Sequence, residues 1–391
     1  MRYLIFDGET SIKNKGNPFT HGNFLVSFGW GFLDSDHLGF TYYRDADFLS
    51  SFTAALAEAE VIVGVNIKFD IHWLRKYNIV IPEHVRVWDC SIAEFIMSGQ
   101  KSVLPSMDKM CDLYELPNKQ GGLEEYWNAG ISTEDIPYDI VKGYQLGDIE
   151  RTKQIFKAQQ ADTRLHKTPN LEKLIYLDGD DLLVLQDMEY NGIKYDISNS
   201  ISKAEVLEEE ARTHTSFLLG LSADSSINFG SPDQLSAFLF GGEYEVTTTE
   251  LQTMVYKSGP RKGEEYTRNV TTERIRIKHT GYFNPPVGSE LAKSTAERPV
   301  YSTADGVLSQ LRCVSKFQRR IIESLQRLTE IEKLTGTYLR KLPKLIEDMK
   351  WGEYLHGQFN QTIAATGRLS SSKPNMQNSP PISDQMLITR W

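Results

Sequence analysis

The sequence predicts an α/β protein whose second half turns mostly helical. Three features carry this reading: short apolar runs bounded by turn residues in the first 90 positions, amphipathic segments placed between them, and a long stretch further on with apolar positions three and four apart. In order, "RYLIFD", "NFLVSFGWGF" and "GFTYYR" read as strands separated by Gly, Asn and Asp. An amphipathic helix over "DFLSSFTAALAEAE" leads to a buried strand, "VIVGVN". "FDIHWLRKY" follows as a helix with Ile71, Leu74 and Tyr77 on one face. "VRVWDC" is the next strand and "CSIAEFIMS" a short helix. Residues 138–160 keep helical spacing through Ile140, Tyr144, Leu146, Ile149 and Ile155, and are expected to close a first domain near residue 165.

From Asp181 the pattern is helical, with "LLVLQDMEYNGI" ending at an Asn-Gly turn and a further helix stopped by Gly220. Residues 241–300, rich in Thr, Lys, Glu, Gly and Pro, read as an irregular insertion with ribbon-like strands, or else as a loop. A helical stretch from about Gly306 to Met349 carries Leu311, Val314, Phe317, Ile321, Leu325, Leu328, Ile331 and Leu334, and Gly336 and Pro343 are expected to divide it. Strand and loop character returns over 351–391. The expected domains are therefore 1–165, 166–350 and 351–391.

A chain of 391 residues has room for two or three cores. No run approaches the roughly 18 apolar residues of a membrane span, and no secretory signal pattern opens the sequence. Cys90, Cys111 and Cys313 make neither a disulfide framework nor a metal cluster, and fit free thiols in a reducing cytosol. The net charge of −9 disfavours a polyanion partner, but it is unevenly spread. Residues 1–170 carry 17 Lys and Arg against 23 Asp and Glu, residues 171–308 carry 13 against 22, and residues 309–391 carry 13 against 7. The basic last part can contact a polyanion locally.

The chemistry begins at "YLIFDGET". With a strand period of two, Asp7 and Glu9 point to the same side, and two carboxylates so close repel unless a cation lies between them. Paired Mg²⁺ or Mn²⁺ ions need oxygen ligands from several elements. Asp70, after a buried strand and near a helix start, and Asp148, four residues after Tyr144 on one helix face, are the candidates. Each has a plainer reading: a turn for "DGE", a helix cap for Asp70, a surface acid for Asp148, a core aromatic for Tyr144, and a local backbone contact for Asn66.

Taken in order, these residues closely resemble the 3′–5′ proofreading exonuclease domain of the DNA polymerase I family, family A. Its Asp-x-Glu matches Asp7 and Glu9, its Asn-x-x-x-Asp matches Asn66 and Asp70, and its Tyr-x-x-x-Asp matches Tyr144 and Asp148. Further on, "DMEYNGIKYD", "INFGSPDQLSAFLF" and "YSTADGVLSQL" resemble the entry to the polymerase region and its thumb, and "TGRLSSSKPNMQN" resembles the first polymerase motif.

The resemblance implies an RNase H-like (DnaQ-like) exonuclease domain, a mostly helical thumb with a phage-type insertion at 241–300, and the start of a palm. It implies catalysis by Asp7, Glu9, Asp70, Tyr144 and Asp148. Two divalent ions would be held there, one by Asp7, Asp148 and Glu9, the other by Asp7 and the water shell of Asp70, while Tyr144 orients the attacking water. Terminal bases would lie against apolar groups near Phe69, His72 and Trp73. DNA would be met as a single-stranded or frayed 3′ end and as a primer-template duplex, with Asn66, Arg368 and Gln377 reaching it.

The palm aspartates and the fingers signatures of the family do not follow, so synthesis is not expected from this polypeptide alone. It reads as part of a split enzyme completed by a second polypeptide, or as a fragment, working in the cytoplasm of a phage-infected cell. The competing readings are a non-catalytic DNA-binding subunit of a replication complex and a stand-alone exoribonuclease.

Overall fold

The computed structural model describes residues 1–117, 122–259, 261–291, 293–295 and 299–377, and its contacts group into two units. The first joins Met1–Ile197 to Leu342–Trp391, and the second is Ser198–Lys341. The first unit is built on a five-stranded sheet. Its strands are β1 (Tyr3–Thr10), β2 (Leu25–Phe32), β3 (Leu38–Tyr42), β4 (Val61–Gly64) and β5 (Arg86–Asp89), in spatial order β3-β2-β1-β4-β5. β1, β2 and β3 pair antiparallel, and β4 and β5 add parallel to β1. The parallel strand β4 is buried throughout, as "VIVG" requires when both faces are covered.

Helices α1 (Ser50–Ala57), α2 (Lys68–Lys76), α3 (Cys90–Met97), α4 (Met107–Leu113), α5 (Leu123–Asn128), α6 (Tyr138–Ala161), α7 (Thr163–Lys167) and α8 (Leu171–Asn191) complete the main part of this unit. α8 begins ten residues before the expected Asp181. Its core joins Leu4, Ile5, Phe6, Phe28, Phe52, Trp73 and Trp88, all essentially without solvent exposure. Burial of this many large apolar side chains is the main stabilising term. Strand β6 (Ile193–Lys194) pairs with β9 (Tyr354–Leu355), and β10 (Gln358–Asn360) with β11 (Ser370–Ser372), so the segment after Leu342 is packed with the first unit.

The second unit contains α9 (Ile197–Leu219), α10 (Pro232–Phe240), α11 (Asp305–Leu308) and α12 (Lys316–Leu334), while α13 (Lys341–Met349) starts at its last residue and belongs from Leu342 on to the first unit. The expected insertion is more regular than its composition suggested: β7 (Gly242–Val255) and β8 (Glu265–His279) form one long antiparallel ribbon with a single register shift at Thr248/Thr249. Its base is anchored by Tyr244, which is buried and donates to Asp224 at 3.0 Å. Residues 260, 292 and 296–298 of this insertion, and 378–391 of the expected palm segment, lie outside the described residues.

The helical stretch expected over 306–349, with divisions at Gly336 and Pro343, is instead divided after Leu308 and at Thr335–Leu339, giving α11, α12 and α13. Leu311 is half-buried and Val314 exposed, because the chain leaves the helix after Leu308, and Phe317, also exposed, stands at the start of α12. A wide helical turn, Thr335–Leu339, takes up Gly336. Pro343 does not divide anything: it is the third residue of α13, where a helix has no use for the missing N–H.

Candidate functional site

β1 ends where its last residues meet α6. Leu4, Ile5 and Phe6 are buried, and the strand then continues through Asp7, Gly8 and Glu9, opposite Gly29, Phe28 and Ser27 of β2. Asp7 and Glu9, on one side as their spacing requires, are half-buried. α6 turns Val141, Tyr144, Gln145, Asp148 and Ile149 inward, a helical stripe interrupted by two polar groups.

Gln145 fixes how that helix sits. Its amide donates to the Asp7 carbonyl at 2.7 Å, its carbonyl accepts from Ser27, and it has no solvent exposure. Gly29 makes the approach possible, since a Cβ there would lie 2.9 Å from Gln145 Cγ. Gly29→Ala is therefore expected to destabilise the fold by about 1–3 kcal/mol and to weaken divalent-ion binding, read by thermal melting and by Mn²⁺ titration.

Carboxylate oxygens of Asp7, Glu9 and Asp148 all lie within 4.8 Å of one another. Asp70 stands beside this group on α2, where its carboxylate accepts the Gly8 N–H at 3.0 Å. Burial holds the Asp70 carboxyl well above the usual range, and the charges of Asp7 and Glu9 add to the effect while the Gly8 hydrogen bond opposes it. Burial likewise pushes the Tyr144 phenol up, reinforced by Glu9, Asp148, Glu124 and Asp7, so the hydroxyl stays a donor; it reaches Glu124 at 3.4 Å. Arg151, one turn after Asp148, donates to it.

A cleft of about 590 Å³ opens at this end of the sheet, lined by Gly8, Glu9, Lys15, Phe69, Trp127 and Asn128. Trp127 donates to Thr133, whose hydroxyl donates in turn to the Thr10 carbonyl, tying α5 to the end of β1. Of the aromatic candidates, only Phe69 lines this cleft. Trp73 is fully buried and donates to the Gly16 carbonyl, and His72 is buried against Glu189.

Asn66 is exposed at the β4–α2 turn with φ +57°, a left-handed conformation that asparagine tolerates. Arg368 and Gln377 are exposed on and after the β10–β11 segment, and the Gln377 amide donates to the Leu369 carbonyl at 3.0 Å.

Sequence reasoning missed Gln145, Trp127 and Asp89. Asp89 closes β5, caps α3 through the N–H groups of Ser91 and Ile92, and accepts the Ile67 N–H at 2.7 Å, so it sets the turn that delivers Asp70. An aspartate after a strand and before a helix is a cap signal that could have found it.

Comparison with known proteins finds similarity to DNA polymerases. The profile of DNA polymerase family A matches residues 282–390. The sequence is 45% identical over 108 residues to the thermostable DNA polymerase I of Thermus filiformis, covering 28% of this chain and 11% of that one. It is 24% identical over 326 residues to DNA polymerase I of a Synechocystis strain, covering 82% of this chain and 27% of the relative. The fold is similar to the POL domain of Pol1 from M. smegmatis, solved with DNA primer-template and dNTP, at a TM-score of 0.62 and 18% identity, over 98% of this chain and 53% of that one. The matches thus span only part of each relative's length.

Proposed function

We propose that the first unit is an RNase H-like, metal-dependent 3′–5′ exonuclease that removes 5′-mononucleotides from DNA, the proofreading part of a family A DNA polymerase. The observation that carries this reading is the convergence of Asp7, Glu9 and Asp148 within 4.8 Å, from two elements far apart in sequence. Asp70 and Tyr144 stand beside them.

An all-oxygen donor set of this charge fits hard divalent cations such as Mg²⁺ or Mn²⁺. Asp7, Glu9 and Asp148 would hold one ion, and Asp7 with Asp70 would serve a second. When bound, such ions supply a more acidic water and neutralise charge developing on the leaving 3′ oxygen. The rest falls to the protein. Tyr144, kept protonated by its surroundings, donates a hydrogen bond that orients the attacking water toward the terminal phosphodiester. Phe69 and Trp127, on the cleft wall, offer flat faces to the terminal bases of a frayed strand. Arg368, Gln377 and Asn66 are the polar groups proposed to meet the DNA backbone or bases, in keeping with the basic character of residues 309–391.

The test is digestion of a 5′-labelled single strand in Mg²⁺. A ladder shortening from the 3′ end and release of 5′-mononucleotides are expected, and an undigested strand would remove the reading. Tyr144→Phe should slow digestion about 10²-fold while Mn²⁺ binding, followed by calorimetry, stays near the parental value. Equal rates for parent and variant would deny the hydroxyl its role.

A further inference from the structure

Glu189 is a buried carboxylate that the chemistry above does not use. It lies near the end of α8 with 2% of its surface exposed, and both oxygens accept hydrogen bonds. One accepts from Lys68 Nζ at 2.6 Å and from the Phe359 N–H at 2.6 Å. The other accepts from His72 Nε2 at 2.7 Å, while Gln186 donates to the Nδ1 of the same ring, which assigns the ring proton to Nε2. Lys68 also donates to the Phe359 carbonyl. Both polar groups of one β10 residue are therefore gripped by a single ion pair.

The grip falls on the helix that carries Asp70. Lys68 and His72 are four apart in α2 and share a face, while Asp70 between them points the other way, to the Gly8 N–H. α2 is thus pinned on two sides, by Asp70 to β1 and by Lys68 and His72 to Glu189 and, through it, to β10. An ion pair this buried is a poor source of stability, since desolvation cancels most of its attraction, and such pairs are better suited to fixing one arrangement.

We propose that Glu189 and Lys68 are positioning residues that register Asp70 on the β10–β11 hairpin, so that the hairpin's placement sets the geometry of the nuclease site. The catalytic half of this proposal rests on the exonuclease reading; the mechanical half does not.

Two measurements on the whole chain separate them. The variant is the apolar replacement Lys68→Met/Glu189→Leu, which leaves no buried charge unpaired, with Glu189→Gln as its single-site companion. Hydrogen exchange should rise several-fold over residues 3–10, which hold Gly8, as well as over 354–372. In Mg²⁺, kcat on a 5′-labelled single strand should fall about tenfold with KM within about twofold, and the same replacement made in a chain that already carries Asp70→Asn should cost nothing further.

Parental exchange over 3–10 in a folded double variant, with any change confined to 354–372, would overturn the proposal. So would losses that simply multiply with those of Asp70→Asn. Should the parent chain digest nothing, the exonuclease reading falls, and the exchange over 3–10 still decides whether Glu189 positions Asp70.

Discussion

The Asp7→Ala/Glu9→Ala chain is expected to lose Mg²⁺-dependent digestion of single-stranded DNA by at least about 10³-fold while remaining folded. The loss follows from geometry: two of the three carboxylates that approach within 4.8 Å are removed, leaving Asp148 with Arg151 as its nearest cation. The fold should survive because the strand holds itself by backbone pairing, with Asp7 opposite Gly29 and Glu9 opposite Ser27, and neither side chain belongs to the core. Removing two negative charges also relieves repulsion that no cation screens in a chelating buffer. The variant's unfolding midpoint in EDTA should therefore equal or exceed the parent's. Parental digestion rates, or a collapsed melting curve, would contradict this.

Asp70→Asn is the second large effect. Digestion should fall about 10²-fold, because asparagine can still accept the Gly8 N–H but brings no charge to the site. Its signature without metal is a pH dependence. The folded Asp70 carboxyl is held above its ordinary value, by burial first and then by Asp7 and Glu9. The folded chain therefore keeps a proton that the unfolded chain releases near pH 4. That contribution to stability is complete below the unfolded value and is lost as pH rises through the folded one. In EDTA, the parent's melting point relative to the variant's should fall by a few degrees, on the order expected for a buried group, between about pH 4 and neutrality. A difference that stays constant with pH would show that Asp70 is not held protonated.

The parts of this site that were legible in the sequence are those governed by short-range rules. A strand period of two aligned Asp7 with Glu9, and a helical spacing of four placed Tyr144 beside Asp148. The turn of β4 into α2 at Asn66 and Asp70 followed from an apolar run meeting a helical one. Each was ambiguous alone and gained meaning from the order in which they occur.

What escaped notice depends on contacts remote in sequence. Gln145 looks like a surface residue until Gly29 lets α6 approach the sheet. Lys68 and Glu189 are 121 positions apart, and no local pattern marks either as buried. Nor does composition distinguish a paired ribbon from a loop over 241–279, because its threonines and charges suit solvent-facing strands and coil equally. Arg151 was findable, since an arginine three residues after a helical aspartate is a familiar partner.

The account stands on carboxylates gathered to hold divalent ions, and anomalous diffraction from crystals of the chain grown in Mn²⁺ tests that most directly. A peak bounded by Asp7, Glu9 and Asp148 is expected, with a second on the side of Asp7 that faces Asp70. Crystals at saturating Mn²⁺ with no peak among those carboxylates would contradict it.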